Sequence, residues 1–508
     1  MNKILKGLDE SVRRHRNMLA LIDENTQFTY DEVDRLSSLL AAKIVQYTQG
    51  ETEKPVVIFM GRSVYFVISM IAVLKADCYY VPAEFPFPRE RLDYIRRELN
   101  ADIFIVDNKS YDELQGRDGE LTIINLLELS TDEKIDTTYE LANSEDHNLC
   151  YTIYTSGTTG KPKGVCIQYN SLYNLVISLY HGIYQYTPGH FRIALLASFS
   201  FDASVKQIYC SLLFGHTLVI SDTDTKYFGR KLLNFYRKWD IYLTDITPTL
   251  IRNIVLQCNK SIPCNVQYFL IGGEVLTWQC VYDFIEKIGY SPKLINLYGP
   301  TECCVDVSYY YIPATNNVEH GPVPIGKAIE NVQLDLIDDI GTKVTEACAE
   351  LFVTGVCVAR GYVHQDIDNK FGVSPLNPSV RTYRTGDIAY RDCDGNHIIV
   401  GRKDDQLKIN GNRVELSEIE HTIKTHPFIQ ACVVLSNNNK LYCFAVSDLK
   451  ESLALYDYLK DYLPSYMIPA NLLFIDSLPI NHNGKIDKKV FHEIIKAKDR
   501  PFLLLKDW

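Results

Sequence analysis

The chain alternates between short apolar runs and longer stretches with apolar residues at helical spacing. The runs "KPVVIFM" and "DIFIVD" are short and rich in β-branched residues, which is typical of buried parallel strands. The stretches "FTYDEVDRLSSLLAAKIVQY" and "SVYFVISMIAVLKA" have the length and apolar spacing of helices. Similar strand-like runs recur at "HTLVISD", "IYLTDITP", "VQYFLIGGE" and "KLINLYGP". This alternation predicts an α/β protein built from stacked layers of helices and strands.

The pattern changes twice towards the C-terminus. After residue 330 it becomes richer in strands, as in "VQLDLIDD", "AELFVTG" and "NHIIVGR", which predicts a β-rich subdomain. From Leu416 helix-like and strand-like segments alternate again, as expected for an α+β unit of roughly a hundred residues. The charged stretch "GRKDDQ" marks the boundary. We predict a large N-terminal domain over 1–403 and a small, mobile C-terminal domain over 404–508.

Composition narrows the class of protein. The chain has 508 residues, 46% of them hydrophobic, and a net charge of -11, so we expect no nucleic-acid partner. It has no apolar run of about 18 residues and no signal-like N-terminus, so we expect no membrane association. The 14 cysteines form no C-x-x-C pair. We therefore expect reduced thiols in a cytoplasmic protein and no zinc site.

The stretch "YTSGTTGKPKG", from Tyr154 to Gly164, combines glycines, hydroxyl side chains and two lysines. Glycine lets backbone N–H groups approach an anion, while hydroxyls and lysines contact phosphate oxygens. The stretch does not fit the usual G-x-x-x-x-G-K-[ST] phosphate loop, because the glycine spacing is shorter and Pro162 follows Lys161. It is interpreted as a phosphate-binding loop, with a plain polar loop as the alternative.

Other polar turns follow in a fixed order: "NLYGPTE" from Asn296, "YRTGDI" from Tyr383, "GRKDDQLKINGNRVELSEIE" from Gly401 and "NGKID" from Asn483. Each alone is an ordinary turn sequence. Together with "FTYDEV", "LKADCYYVP", "YTSGTTGKPKG", "FDAS", "ELFVTGVCVARGY" and "LPSYMIP", they resemble the ten core motifs of the ANL superfamily of adenylate-forming enzymes. The nearest resemblance is to the amino-acid adenylation domain of nonribosomal peptide synthetases, over almost the whole chain. Asp77, Ala349 and Asn410 depart from the family pattern without removing a motif's central chemistry.

The resemblance implies the acetyl-CoA synthetase-like fold and an ATP-dependent ligase. An amino acid would react with ATP and Mg²⁺ to give aminoacyl-AMP and pyrophosphate. The aminoacyl group would then pass to the phosphopantetheine thiol of a separate carrier protein, since no carrier serine motif is visible and the chain looks free-standing or excised. Catalysis of this kind depends on positioning and on neutralising charge at the α-phosphate.

The resemblance also assigns nucleotide-binding and catalytic residues. Tyr298 would stack on adenine, Glu302 would hold Mg²⁺, and Lys485 would bridge the substrate carboxylate and the α-phosphate. Asp387 would bind the ribose hydroxyls, with Arg402 nearby, and Asp404 would be the hinge of the small domain. The remaining residues assigned to the nucleotide are Thr155, Ser156, Gly157, Thr158, Thr159, Lys161, Asn296, Gly299 and Thr301.

A substrate pocket follows from alignment with the family. Asp202 stands where amino-acid-activating members bind the substrate ammonium, and Lys206 lies one helical turn later. The other lining residues are Ala203, Asp245, Leu270, Gly272, Leu297, Val305 and Asp306. Charge counting leaves three possibilities open: the aspartates neutralise Lys206, a substrate γ-carboxylate completes the pair, or the aspartates bind the amine of lysine or ornithine. The family pattern resembles pockets for L-glutamate, with glutamine a near neighbour.

Three classes of function are compared. The first is an enzyme that activates glutamate, with glutamine or another acidic or β-amino acid as the alternative substrate. The second is an acyl- or aryl-CoA ligase of the same fold, which would lack an acid equivalent to Asp202. The third is a silent binding scaffold, which the intact loop, Glu302 and Lys485 disfavour. The product, the carrier and the role of the final "PFLLLKDW" are not given by the sequence.

Overall fold

The structure is a computed structural model. It describes residues 2–114, 121–126, 145–157, 161–187, 189–257, 264–314, 319–345, 347–364, 370–374, 380–403, 407–409, 411–437, 439–447, 452–475, 477–479 and 488–498. Over these residues, no helix combines the length and the apolar character that a bilayer span requires.

Helices form where apolar residues recur at helical spacing. Thr29 caps the second helix through a capping box with Glu32, which fixes its start directly after a short strand. Within the described residues the α-helices are α1 (Lys3–His15), α2 (Tyr30–Thr48), α3 (Val64–Lys75), α4 (Arg89–Leu99), α5 (Asn108–Leu114), α6 (Tyr169–Gly182), α7 (Ala203–Leu213), α8 (Gly229–Lys238), α9 (Pro248–Gln257), α10 (Trp278–Ile288), α11 (Leu416–Lys424), α12 (Ser452–Tyr462) and α13 (Lys488–Lys498).

Strands form mostly at the β-branched and aromatic runs. Within the same residues they are β1 (Leu19–Ile22), β2 (Gln27–Thr29), β3 (Pro55–Gly61), β4 (Tyr79–Phe85), β5 (Ile103–Val106), β6 (Thr122–Asn125), β7 (Leu149–Thr155), β8 (Lys163–Gln168), β9 (Arg192–Leu195), β10 (Thr217–Ile220), β11 (Ile241–Ile246), β12 (Tyr268–Ile271), β13 (Lys293–Tyr298), β14 (Ser308–Ile312), β15 (Lys327–Ala328), β16 (Val332–Ile337), β17 (Ala349–Gly355), β18 (Gly361–Tyr362), β19 (Phe371–Val373), β20 (Arg381–Arg391), β21 (His397–Arg402), β22 (Leu407–Ile409), β23 (Asn412–Val414), β24 (Ile429–Asn437), β25 (Lys440–Ser447) and β26 (Asn471–Phe474).

The chain divides into two compact units. The first comprises Met1–Phe87, Tyr94–Thr155 and Lys163–Asp404, and the second comprises Pro88–Asp93, Ser156–Pro162 and Asp405–Trp508. The boundary predicted between 403 and 404 falls outside the described residues and stays a prediction.

Two large sheets dominate the first unit. One has the strand order β15-β14-β13-β12-β11-β9-β10-β1-β2, and the other has the order β18-β8-β7-β4-β3-β5-β6. Side chains from both sheets share one apolar core with helices α2, α3, α6 and α7, including the stacked rings of Phe66 and Phe199. A second core packs α8, α9 and α10 on the nine-stranded sheet through residues such as Phe269 and Phe284. Because helices cover both faces of its central parallel strands, those strands read as continuous apolar runs.

Antiparallel strands follow in the β-rich part of the first unit. They have the order β16-β17-β20-β19, with β21 paired to β20, and enclose a core that includes Leu351 and Tyr383. The second unit contains the sheet β24-β25-β26 with α11 and α12, whose apolar faces meet around Ile419 and Leu459. The predicted α/β fold class, with a β-rich subdomain and a small C-terminal α+β part, is confirmed.

The departure at Asp77 has a local explanation. Its φ is 56°, in the left-handed region where the family has glycine and where aspartate is among the better-tolerated side chains. Ala349, by contrast, begins β17 and pairs with Ala389 in β20.

Candidate active site

The floor of the predicted substrate pocket is one face of three neighbouring parallel strands. Asp245 of β11 pairs in register with Leu270 of β12, which pairs with Ile295 of β13. Leu297 lies two residues beyond Ile295 and therefore points to the same face. Gly272 follows β12 directly, and a Cβ added there would lie 3.2 Å from the carbonyl oxygen of Leu297. The carboxyl ends of the strands thus bring four predicted pocket residues together.

Helix α7 supplies the charged wall of this pocket. Asp202 is its N-cap residue but makes no side-chain capping bond, so capping does not account for the aspartate. Ala203 opens the helix, and Lys206 follows one turn later with only 4% of its surface exposed. After burial itself, the Asp202 carboxylate contributes to raising the pKa of the Tyr151 hydroxyl and the Cys304 thiol, which places it near both.

Lys206 is held between two buried carboxylates. Its Nζ donates a 2.7 Å hydrogen bond to Asp306 Oδ2 and lies 2.7 Å from Asp245 Oδ1. The second contact is an ion pair without hydrogen-bond geometry, and neither oxygen of Asp245 has a hydrogen-bond partner among the described residues. Burial opposes the charge on Lys206, but Asp245 and Asp306 outweigh it, so the pKa of Lys206 lies above its ordinary value. Burial raises the pKa of Asp245 to about 6, although Lys206 acts in the opposite direction.

A strained turn places Asp306 beside Lys206. Cys304 and Val305 both have positive φ angles, 59° and 73°. For a β-branched residue such as Val305 this is a rare conformation that costs on the order of 1–3 kcal/mol and needs support from its surroundings. Gly299 leaves room for this turn, because a Cβ there would lie 2.2 Å from the carbonyl oxygen of Val305. Gly299 is thus required for this close packing.

The predicted nucleotide residues at the end of β13 form a second cluster. Tyr298 is buried and donates a hydrogen bond from its hydroxyl to Asp387 Oδ2. Asp387 of β20 lies opposite Arg402 of β21, whose guanidinium pairs with Asp387 Oδ1. Burial, followed by Asp387, raises the pKa of Tyr298 well above its ordinary value. A carboxylate has about four acceptor positions, so Asp387 keeps acceptor capacity for sugar hydroxyls.

Asn296 lies on the same strand, and the NH₂ group of its side chain is already hydrogen-bonded. Its Nδ2 donates to the carbonyl oxygens of Val323 and Pro324, at 3.3 Å and 2.8 Å. A contact with the edge of a base would therefore use its carbonyl oxygen, since both amide hydrogens have acceptors.

Thr301 and Glu302 lie in the short 3₁₀ turn Thr301–Cys303 that follows β13. Glu302 is buried, and its Oε1 accepts a 2.8 Å hydrogen bond from the hydroxyl of Tyr362. Among the described residues, no group of three or more histidine, cysteine, aspartate or glutamate side chains could hold a metal. A single carboxylate nevertheless fits Mg²⁺ that arrives with phosphate oxygens and keeps its waters.

The glycine-rich loop is described in part. Thr155 ends β7, and its buried Oγ1 has no hydrogen-bond partner among the described residues, which leaves it available for an anion. Within the second compact unit, Ser156 Oγ donates to the carbonyl of Arg413 and the Gly157 N–H donates to Glu418 Oε2, both at 3.0 Å. Lys161 is exposed.

Four assigned residues, Thr158, Thr159, Asp404 and Lys485, lie outside the described residues, and their roles stay predictions. Conversely, the structure adds two residues for which the sequence predicts no role. Tyr362 and Glu418 stand in stretches quoted for the resemblance, "ARGY" and "SEIE", so their position was visible although their contacts were not.

Together these features define a two-unit α/β protein with a buried cluster of charged side chains at the carboxyl ends of parallel strands, where open α/β sheets bind small ligands. Residues 8–363 match the family of AMP-binding enzymes, and residues 418–485 match the AMP-binding enzyme C-terminal domain. The chain belongs to the AMP-binding enzyme family.

Curated relatives are large synthases. The chain is 36% identical over 497 residues to surfactin synthase subunit 1 of Bacillus subtilis, covering 94% of this chain and 14% of that protein. It is 32% identical over 502 residues to tyrocidine synthase 1 of Brevibacillus parabrevis, covering 96% of this chain and 44% of that protein. The chain therefore spans less than half the length of each of these relatives.

Solved structures share the fold. The Vibrio cholerae adenylation domain AlmE, in complex with glycyl-adenosine-5'-phosphate, has a TM-score of 0.81 at 21% identity, with 98% of each chain covered. The nonribosomal peptide synthetase protein PA1221, which contains adenylation and PCP domains, has a TM-score of 0.80 at 20% identity, covering 98% of each chain.

Proposed function

We propose that the chain activates an amino acid with ATP as aminoacyl-AMP, releases pyrophosphate, and transfers the aminoacyl group to the phosphopantetheine thiol of a carrier protein. The observation that carries this proposal is the alternation along β13. Leu297 faces the charged pocket, whereas its neighbours Asn296 and Tyr298 belong to the opposite face with the Asp387 cluster. An amino acid and a nucleotide held by these two groups would meet near the end of this one strand.

In this reaction a carboxylate oxygen of the amino acid attacks the α-phosphate of ATP. The bond between the α-phosphate and pyrophosphate breaks, and pyrophosphate leaves. Asp202 binds the ammonium of the amino acid, which orients the carboxylate towards the nucleotide. Tyr298 and Asp387 fix the base and the ribose, and Thr301 contacts phosphate. Lys485 neutralises the charge that accumulates where carboxylate and phosphate converge. Bound at Glu302, Mg²⁺ would neutralise charge on the phosphates.

Transfer to a carrier thiol is supported by the relatives. PA1221 contains adenylation and PCP domains in one protein. The two curated relatives, surfactin synthase subunit 1 and tyrocidine synthase 1, are synthases. Thioester formation would use the same aminoacyl-AMP, with AMP leaving as the thiolate attacks the carbonyl carbon.

The proposed substrate is L-glutamate, with glutamine or another acidic or β-amino acid as the alternative. Lys206 lies one turn from Asp202 and is the cation that a γ-carboxylate would approach. The family pattern of a lysine with aspartates at 245 and 306 supports glutamate. The pairing of Lys206 with both aspartates also leaves an excess negative charge when both are ionised. That excess is the reason to test lysine and ornithine as rivals.

ATP–pyrophosphate exchange with glutamate, glutamine, aspartate, lysine and ornithine tests the proposal. We expect glutamate to give the highest kcat/KM. The Lys206→Gln variant should lose more activity with glutamate than with glutamine, because only glutamate brings a charge to the missing cation. Preference for a basic amino acid, or an unchanged glutamate-to-glutamine ratio in the variant, would reject glutamate. A second assay compares coenzyme A with a phosphopantetheinylated carrier as acceptor, since a CoA ligase would favour the former.

A further inference from the structure

The charge balance of the pocket is incompatible with simple addition of an acidic side chain. Lys206, Asp245 and Asp306 are all buried, and their side chains are no more than 11% exposed. With both aspartates ionised, the three groups carry a net negative charge before substrate enters. A γ-carboxylate would add a second uncompensated negative charge where water is largely excluded, and buried unpaired charges are strongly unfavourable.

We infer that glutamate enters this pocket together with one proton from solvent, that Asp245 takes this proton, and that the neutral Asp245 donates a hydrogen bond to the γ-carboxylate. The inference rests on the proposed function and adds a specificity mechanism to it. The positive charge of Lys206 then compensates the negative charge of Asp306, and the remaining N–H groups of Lys206 can donate to the substrate. The occupied pocket carries one excess negative charge, the same as the empty pocket.

The two aspartates differ in a way that selects Asp245. Asp306 Oδ2 accepts a hydrogen bond from Lys206, and a proton placed on Asp306 would compete with that bond. Asp245 is close to Lys206, but its buried oxygens accept no hydrogen bond from a described residue. The proton is therefore less costly to place on Asp245, whose pKa burial has already raised to about 6.

The other groups around Asp245 do not take its role. Gln207 and Cys210 of α7 face Asp245. The hydroxyl of Tyr184, in the 3₁₀ turn Tyr184–Tyr186, and the hydroxyl of Tyr236, in α8, also face Asp245. Burial raises the pKa of the thiol and of both hydroxyls well beyond the neutral range, so these groups stay protonated. Lys206 stays charged for the reason given above. Asp245 is the group in this set that titrates near neutrality.

The consequence is a pH dependence specific to acidic substrates. Above the pKa of the empty pocket, about 6, Asp245 is ionised and must regain a proton when glutamate binds. The KM for glutamate should therefore rise about tenfold per pH unit, from about pH 7 to 8. Glutamine brings no charge, so its KM should change less than twofold over the same interval. The ratio of the two KM values cancels effects of pH on ATP, Mg²⁺ and the rest of the enzyme.

The experiment measures this ratio by ATP–pyrophosphate exchange from pH 6 to 8.5 for the wild type, Asp245→Asn and Asp306→Asn. Asparagine mimics the neutral carboxyl group, so Asp245→Asn should flatten the ratio. Asp306→Asn is the matched control, because it removes the same charge but leaves Asp245 without a proton to donate, so its KM for glutamate at high pH should exceed that of Asp245→Asn. Calorimetric titration of glutamate in two buffers of different ionisation enthalpy gives a direct count, which should be about one proton taken up at pH 7.5.

A flat ratio in the wild type with no proton uptake would overturn the inference while leaving glutamate activation intact. A pH dependence that persists in Asp245→Asn, or a lower KM for glutamate in Asp306→Asn than in Asp245→Asn, would overturn the assignment to Asp245. Absence of glutamate-dependent exchange in the folded wild type would instead reject the proposed substrate, so the two failures are distinguishable. If an asparagine variant fails to fold, the calorimetric proton count on the wild type decides alone.

Discussion

Asp387 and Arg402 lie opposite each other on β20 and β21 and form an ion pair, and Asp387 also accepts a hydrogen bond from Tyr298. The carboxylate assigned to the ribose is thus fixed by a cation on one oxygen and a hydroxyl on the other. Such fixation keeps the carboxylate oriented before a nucleotide arrives, which reduces the ordering that binding requires.

The two roles of Tyr298 are separable by substitution. Tyr298→Phe removes the donor to Asp387 but keeps the ring, so it should lower stability by about 1–3 kcal/mol. Because Arg402 still holds Asp387, the KM for ATP should rise only a few-fold. Tyr298→Leu also removes the ring and should raise that KM about tenfold to hundredfold, as stacking on a base is worth roughly 1–3 kcal/mol. Equal KM values for the two variants would show that Tyr298 does not stack on adenine. Thermal unfolding and exchange kinetics provide both measurements.

Local sequence was sufficient for most of the fold. The β-branched run at β3 and the apolar stretch at α3 are decided by residues within each segment, because length and β-branched content separate a short buried strand from a longer buried helix. The pair Lys206 and Asp306 is different, since the two residues are 100 positions apart in the chain. Spacing placed Asp202 and Lys206 on one helix face but could not show which carboxylates Lys206 would meet.

The same limit explains what was missed at the site. The hydrogen bond from Tyr362 to Glu302 joins residues on different elements and depends on how β18 packs beside the 3₁₀ turn. Asp245 was assigned to the pocket by alignment, but its difference from Asp306 arises from hydrogen-bond geometry. Sequence therefore predicts most residues of the candidate site, whereas their contacts with one another required the structure.

Gly299 is predicted to control the position of Asp306. In Gly299→Ala, the new Cβ would lie 2.2 Å from the carbonyl oxygen of Val305, so the turn must shift. We expect a loss of about 1–3 kcal/mol in the free energy of unfolding, typical of overpacking, and a larger rise in the KM for glutamate than for ATP. The matched control is Gly372→Ala, because a Cβ at Gly372 meets no atom within 4 Å. If both variants behave alike, the close approach at Gly299 does not position Asp306.

Lys485 is predicted to act in the chemical step. Lys485→Ala removes a cation needed where the carboxylate and the α-phosphate converge, so kcat for exchange should fall by a factor of about 10² or more, roughly 2.7 kcal/mol. The KM values should change much less, and circular dichroism should match the wild type. Near-normal exchange in a folded variant would remove Lys485 from the catalytic residues.

Glu302 is predicted to hold Mg²⁺ on the phosphates, and Tyr362 to orient it. Glu302→Gln keeps the size of the side chain and an acceptor for the Tyr362 hydroxyl but removes the negative charge. We therefore expect a shift to higher Mg²⁺ concentration for half-maximal exchange and a fall in kcat of about 10², comparable to loss of one electrostatic group. Tyr362→Phe is the matched control, because it removes the hydrogen bond but leaves the charge. In Tyr362→Phe the Mg²⁺ concentration for half-maximal exchange should change only a few-fold. If Glu302→Gln titrates with Mg²⁺ like the wild type, the carboxylate is not a ligand and its burial beside Tyr362 serves the packing of β18 on the turn.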